Sequence, residues 1–248
     1  MPVAAVHGKS AAVFLGGYDI STWLNDVDTA MARDAAESTG FQSPGGAKTF
    51  VEGYRSGTIT AAGIWDGSAN AIDAIIDANT DDVTNPVLVF PDGGRVSGAA
   101  CALSSGPITK LERKSPIAGV NIIDFEAISS AETSPLLRGK GQSYVAFAAN
   151  GNGTVIDFGA DGPTNGGGDV IVQIDGTARN AGSVSVVIQL SPDNSTWATV
   201  ATLACGFGAV AGQAFPQSVT MRRYVRAVVT VTGGATGNYL VTYGVARY

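Results

Sequence analysis

The chain has 248 residues, 45% of them apolar and 15% charged, which suits one large or two smaller domains with a buried core and excludes a globally disordered chain. Gly is abundant at 33 residues, whereas Lys and Glu number five each and Met three, a balance that favours strands joined by Gly-containing turns over helices. The net charge of -6 lies wholly before residue 141, where sixteen acids face ten bases, and five of each follow, so the first half is no phosphate-gripping surface.

Residues 10–24 read as a first strand and turn, with Ala12-Val13-Phe14-Leu15 ahead of Gly16-Gly17. Residues 22–37 alternate: Trp23, Asn25, Val27, Thr29 and Met31 fall on one face of a long strand, Leu24, Asp26, Asp28, Ala30 and Ala32 on the other. Its Ala content also allows a helix over 28–37. Residues 38–49, rich in Gly, Pro and Ser, read as an exposed loop, and 56–65 as the next strand. A helix is expected over 68–79, capped by Ser68, with Ala71, Ile72, Ile75 and Ile76 on one side and Asp73 and Asp77 on the other.

Strands follow at 86–90, at 95–104 after an Asp92-Gly93-Gly94 turn, at 107–113 and at 116–128. In the last of these Ile123, Phe125 and Ala127 share one face, and Ile122, Asp124 and Glu126 the other. The small polar stretch 129–144 reads as a boundary, with a linker at 139–144 between a first domain, 1–138, and a second, 145–248. Strands in the second are expected at 144–148, 154–158, 169–177, 182–190, 196–203, 216–220, 223–232 and 238–246, with a tight turn at Ser191-Pro192-Asp193-Asn194. Short strands with turn signals about every ten residues suggest a β-sandwich, jelly-roll or Ig-like. The fold class expected is all-β with one short helix.

Residues able to carry chemistry are few. Cys101 and Cys205 read as buried, reduced thiols. The one histidine, His7, is too near the start to anchor a catalytic device, so no catalytic residue, metal site or cofactor is expected. Asp124 and Glu126 share a strand face, as a hydrolytic carboxylate pair or, more simply, as a solvated face. Asp157, Asp161 and Asp169 flank a Gly-rich loop, a turn or a loose calcium cradle. Trp197, Tyr239 and Tyr243 are either core or a sugar-stacking platform, with Trp197 and Tyr239 the surface-binding candidates. Arg222, Arg223 and Arg226 suit a solvated edge or a subunit contact. No segment reaches the ~18 apolar residues of a membrane span. The first residues lack the basic start and apolar run of a signal peptide, so synthesis in a cytoplasm without membrane insertion is expected.

Two stretches carry a resemblance. Asp19-Ile20-Ser21 ahead of Trp23-Leu24, the acidic run to Glu37, and Lys48, Phe50, Val51, Gly53, Gly57, Ile59, Thr60 and Gly63 before the helix together resemble the tail tube family of long-tailed bacteriophages. The stretch 115–133 is similar to that family's closing strand. Gln189, Ser191, Asp193, Ser195, Thr196 and Trp197, then Arg223-Tyr224-Val225-Arg226, resemble the β-sandwich appended to many such tail proteins.

The resemblance implies a tube-forming first domain and a second that projects outward. Six copies would close a ring and rings would stack into the virion tail, assembled in the host cytoplasm. The implied partners are further copies of the chain, a tape-measure protein, and tail terminator and baseplate proteins. Viral DNA would pass through without specific binding. On this reading Asp26, Asp28, Asp124 and Glu126 line the bore, where like charge keeps phosphate off the wall. The loop bearing Phe41, Pro44, Lys48 and Phe50 reaches the next ring. Lysine at the four acidic positions is expected to leave tubes intact and hinder DNA ejection, and deletion of 145–248 to leave a tube-forming core. The alternatives are another virion structural or decoration protein, and a carbohydrate-binding module.

Overall fold

The alternating patterns resolve into three antiparallel sheets in a computed structural model that describes residues 11–37, 50–68, 71–116, 119–129, 136–164, 166–233 and 236–247. In chain order the first elements are β1 (Ala12–Leu15), β2 (Tyr18–Asp19), β3 (Leu24–Glu37), β4 (Phe50–Ile64), α1 (Ile72–Asn79) and β5 (Pro86–Phe90). Next come β6 (Ala99–Ser105), β7 (Ile108–Lys114), β8 (Ile122–Ile128), β9 (Leu137–Phe147), β10 (Gly151–Asn152) and β11 (Ile156–Asp157). The chain ends with β12 (Gly168–Asp175), β13 (Ser183–Ser191), β14 (Ala198–Gly206), β15 (Val210–Gln217), β16 (Tyr224–Thr232) and β17 (Tyr239–Arg247). The fold is all-β with one short helix, as its composition requires. No helix among the described residues is long and apolar enough to cross a membrane.

The central sheet has eight strands in the order β15-β12-β17-β9-β6-β5-β1-β2, and it curls until its ends nearly meet. The seam is polar. Gln173 is buried in β12; its Oε1 accepts from Gly17 N at 2.8 Å, and its Nε2 donates to the carbonyls of Phe14 at 3.3 Å and Pro86 at 3.2 Å. Gly17 makes the approach possible: its φ is +100°, and a Cβ there would lie 2.7 Å from the Ala211 backbone. Phe14, Leu88, Phe90, Cys101, Leu103, Ile171 and Ala246 fill the space the curled sheet encloses.

Each outer wall of the curl carries a smaller sheet. On one side lies the sheet β3-β4-β8-β7, with α1 closing the layer. Ile59, Ala61, Ile123, Phe125 and Ala127 of that sheet, Ile72, Ile75 and Ile76 of α1, and Val13, Leu15, Val87 and Val89 of the central sheet share one core. On the other side lies β10-β16-β13-β14, with β11 also paired to β16. Val184, Val186, Ile188, Val225, Ala227 and Val229 there meet Val170, Val172, Ile174, Tyr239, Val241, Tyr243 and Val245 of the central sheet.

Several sequence expectations change. Residues 139–144, read as a linker, lie inside β9, which pairs with β6 along one edge and with β17 along the other. Gly139 and Gly141 explain the misreading: a Cβ at either would come within 2.3 Å of a β17 carbonyl, so what looked like flexible composition is close strand packing. The helix starts later than expected. Ala71, not Ser68, is its N-cap, with no side-chain cap; Ser68 instead sits in a turn where its N–H donates to Asp66 Oδ1 at 2.9 Å. Residues 22–37 are strand throughout the described part, from Leu24, and not helix. Residues 210–215, which lie outside the strands expected from the sequence, belong to β15. Cys101 and Cys205 are free and buried.

Candidate functional site

The sheet β3-β4-β8-β7 is half solvated, so its inner residues are apolar and its outer ones polar. Registers align the outer residues in cross-strand rows. Asp26 lies opposite Ala62, Ala62 opposite Asp124, and Asp124 opposite Glu112. The next row runs Asp28, Thr60, Glu126, Lys110. A third pairs Ile64 with Ile122 and Ile122 with Lys114. The structure thus brings the four expected acids, Asp26, Asp28, Asp124 and Glu126, onto one face in adjacent rows, and adds Glu112, Lys110 and Lys114, which sequence reading did not single out. A shallow open depression on this face is bordered by Asp26, Thr60, Ala62, Lys110, Asp124 and Glu126.

The charges are distributed unevenly. Lys114 Nζ lies 2.5 Å from Asp124 Oδ2 and 2.8 Å from Glu112 Oε2, and Lys110 Nζ lies 3.1 Å from Glu112 Oε1. Hydrogen bonds from Lys114, then Lys110, hold the Glu112 carboxyl below its usual range. The hydrogen bond to Asp124, with that to Glu112, raises Lys114. Glu126 Oε1 accepts from Thr109 Oγ1 at 3.2 Å. Asp26 and Asp28, at the β3 edge of the same face, are exposed and make no ion pair among the described residues. Among the described side chains, five carboxylates against two ammonium groups leave the face acidic.

Both lateral edges of this sheet are open among the described residues. β3 pairs with β4 alone and β7 with β8 alone. The β3–β4 ladder runs on past the point where β8 stops: β8 reaches Thr58 of β4, whereas β3 follows β4 to Phe50. On the inner side Arg113 of β7 reaches α1, with Nε 2.5 Å from Asp73 Oδ1 and Nη2 2.7 Å from Asp77 Oδ1, which ties edge strand and helix together. Phe41, Pro44 and Lys48 lie outside the described residues, and Phe50 opens β4.

The other candidates fare differently. Tyr239 is not a surface residue: it is 0% exposed in the core with Tyr243, and Arg179 lies over its ring at 5.0 Å. Its alternation places it on the face of β17 turned to the neighbouring sheet, so the sugar platform loses two of its three rings. Trp197 stays partly exposed with Arg226 stacked 4.0 Å from its centroid, and Arg226 donates through Nε and Nη2 to Gln189 Oε1. Asp157 takes a two-pronged contact from Arg223 at 2.8 Å on each oxygen, while Asp161 accepts from Arg223 N and Arg222. Asp169 is buried, and no metal-holding group of three occurs among the described residues. Asp157 and Asp161 thus serve Arg223 and Arg222, which accounts for two of the three arginines of the basic cluster.

No family model matches the sequence, and no curated protein matches it. The solved structures similar to the chain include the following three. A chain of the virion of a native gene transfer agent particle is 20% identical, with 53% of this chain and 98% of that one covered and a TM-score of 0.44. A chain of the anti-feeding prophage cap, a tube terminating cap, is 12% identical over 56% of this chain and 94% of its own, at 0.42. The Dit protein of phage SPP1, described as a hub adsorption apparatus, is 12% identical over 96% and 99%, at 0.37. At this level the likenesses carry no functional content.

Proposed function

We propose that the chain is a non-enzymatic structural subunit of a long-tailed phage virion, and that copies join into rings, six to a ring, which stack as a tail tube for DNA. The observation that carries this is the sheet β3-β4-β8-β7, open at both edges and acidic on its solvent face. An open edge offers unpaired N–H and C=O groups, which proteins usually blunt or cover. Edge-to-edge pairing in a ring satisfies them without a free end. Head-to-tail stacking of rings is a contact that never closes on itself, so it grows into a filament.

In such a ring the acidic face turns to the bore. A wall with excess negative charge repels phosphate and keeps a duplex from sticking. Residues 1–138 form the tube unit and 145–248 the outward-projecting unit, the two fused through β9. The loop with Phe41, Pro44, Lys48 and Phe50 touches the ring above or below. Tape-measure, terminator and baseplate proteins act on the assembled tube in the host cytoplasm. Among the competing readings, carbohydrate binding retains only Trp197 of its aromatic candidates.

Negative-stain microscopy of the purified full chain tests the proposal: hollow tubes or rings are expected, and a monodisperse monomer at all concentrations defeats it. The bore is tested separately at the interior strand. Asp124→Lys with Glu126→Lys, in a particle assembled from this chain, leaves tubes in place and slows DNA release; release at the normal rate removes these residues from the bore.

A further inference from the structure

The two open edges differ in charge. On the solvent face β7 presents Lys110, Glu112 and Lys114, with the lysine side chains 50% and 53% exposed. On the same face β3 presents Asp26 and Asp28, followed by Ala30 and Ala32. The β7 edge thus carries two lysines against one glutamate, whereas the described side chains on the solvent face of β3 include two aspartates and no cation. From this we infer that the charges select which edge meets which: the β7 edge of one copy docks on the β3 edge of a second copy, with Lys110 and Lys114 set against Asp26 and Asp28. The inference rests on the ring reading above and adds the polarity of the contact.

Strand direction permits that junction. All three pairings in the sheet are antiparallel and the strand number is four, so β3 and β7 run in opposite directions. A copy related by rotation about the ring axis then presents β3 antiparallel to its neighbour's β7 and keeps the same face turned inward. Side chains directly opposite across an antiparallel pair lie about 4.5–5.5 Å apart and diagonal ones about 7–8 Å, within lysine's reach, so one lysine serves both aspartates.

Self-pairing of either edge is opposed by the same residues. Two β7 edges centred on Glu112 set Glu112 against Glu112 and Lys110 against Lys114. Two β3 edges centred on Val27 set Asp26 against Asp28. Like charges directly opposite destabilise a strand pair. A two-fold dimer would consume the edges and end growth, whereas the β7-on-β3 contact is heterologous and closes into a ring. The charge pattern thus disfavours the dead-end dimer as well as favouring the ring.

The test uses the full chain and two charge-reversed forms, K110E/K114E and D26K/D28K, followed by sedimentation and negative-stain microscopy. All four positions are exposed, and circular dichroism reports whether each variant folds. Each variant alone is expected to need at least tenfold more protein than wild type to assemble. Mixed one to one, or combined in a single chain, they regain rings and tubes, which also demonstrates that both are folded. Wild-type tubes together with unimpaired K110E/K114E overturn the charge inference and leave the ring reading standing. A mixture that stops at dimers overturns the head-to-tail polarity. A wild-type chain that never assembles removes both.

Discussion

The two sheets that flank the central curl are finished in opposite ways. The β10-β16-β13-β14 sheet has its edges protected. One is built of the two-residue strands β10 and β11, and the other, β14, is overlain by β15, whose Gln217 Nε2 donates to Val200 O at 3.0 Å. On its outer face the Ser183 and Thr232 hydroxyls lie 2.7 Å apart and Arg226 is held by Gln189. Among the described residues the β3-β4-β8-β7 sheet has neither device: its edges are long, open and charged, and exposed Met31 lies on β3 at 57%. Short or covered edges keep a protein from pairing with its neighbours. Both solutions occur in one chain, so the open edges are not a general weakness of its β-structure.

The sharpest way to break this comparison is to separate the halves. Truncation after Phe147 strips β9 of β17 and leaves Phe14, Leu88, Phe90 and Leu103 without Ile171 and Ala246. A chain ending there is expected to lose cooperative thermal unfolding; a sharp melt would restore the first unit as an independent domain. Within the core, Phe125→Ala should cost about 3–5 kcal/mol in denaturant unfolding, the range for emptying an aromatic site. Gln173→Leu should cost roughly 1–3 kcal/mol, because it leaves the buried Gly17 N–H without an acceptor. Trp197→Ala, which removes the Arg226 stack at a partly exposed site, should cost about 0.5–1 kcal/mol by the same measurement.

The smallest effect is a pH effect on the protected sheet. The Arg223 contact, helped by Gly159 N–H, holds Asp157 down at about 2, against 3.8 ordinarily. A carboxylate depressed on folding contributes its stability fully above its unfolded value and loses it as pH falls through the folded one. The β11–β16 pairing should therefore loosen as pH falls from about 4 to about 2, seen as faster amide exchange at Ile156 and Phe158. Asp157→Asn should abolish that dependence. At neutral pH, exchange along β3 and β7 of the isolated chain should outpace that along β13, and assembly should slow it.

Local pattern made much of this legible. The alternation put Asp124 with Glu126 on one face of their strand and Asp26 with Asp28 on one face of theirs, because a strand's period of two needs no tertiary information. The Ser191–Asn194 turn was also readable: Asp193 Oδ1 accepts from Ser195 and Thr196 N–H at 2.9 and 2.8 Å, the usual work of an aspartate in a turn. Long-range pairing was not readable. Gly139 and Gly141 look like linker residues until β17 lies against them, Gln173 gives no sign that it closes a seam 156 residues away from Gly17, and Tyr239 is indistinguishable from a surface ring until its sheet is covered. Lys110 and Lys114 acquire meaning only once β7 is known to be an edge.

Strand β9 has one more consequence, and it is mechanical. It is bonded to β6 along one side and to β17 along the other, so the two parts of the central sheet on which the flanking sheets pack are joined through a single strand. A load pulling them apart along β9 would strain its ladders in shear, many bonds at once, rather than unzip them singly. A flexing filament built this way would bend at the contacts between copies before it tore within one.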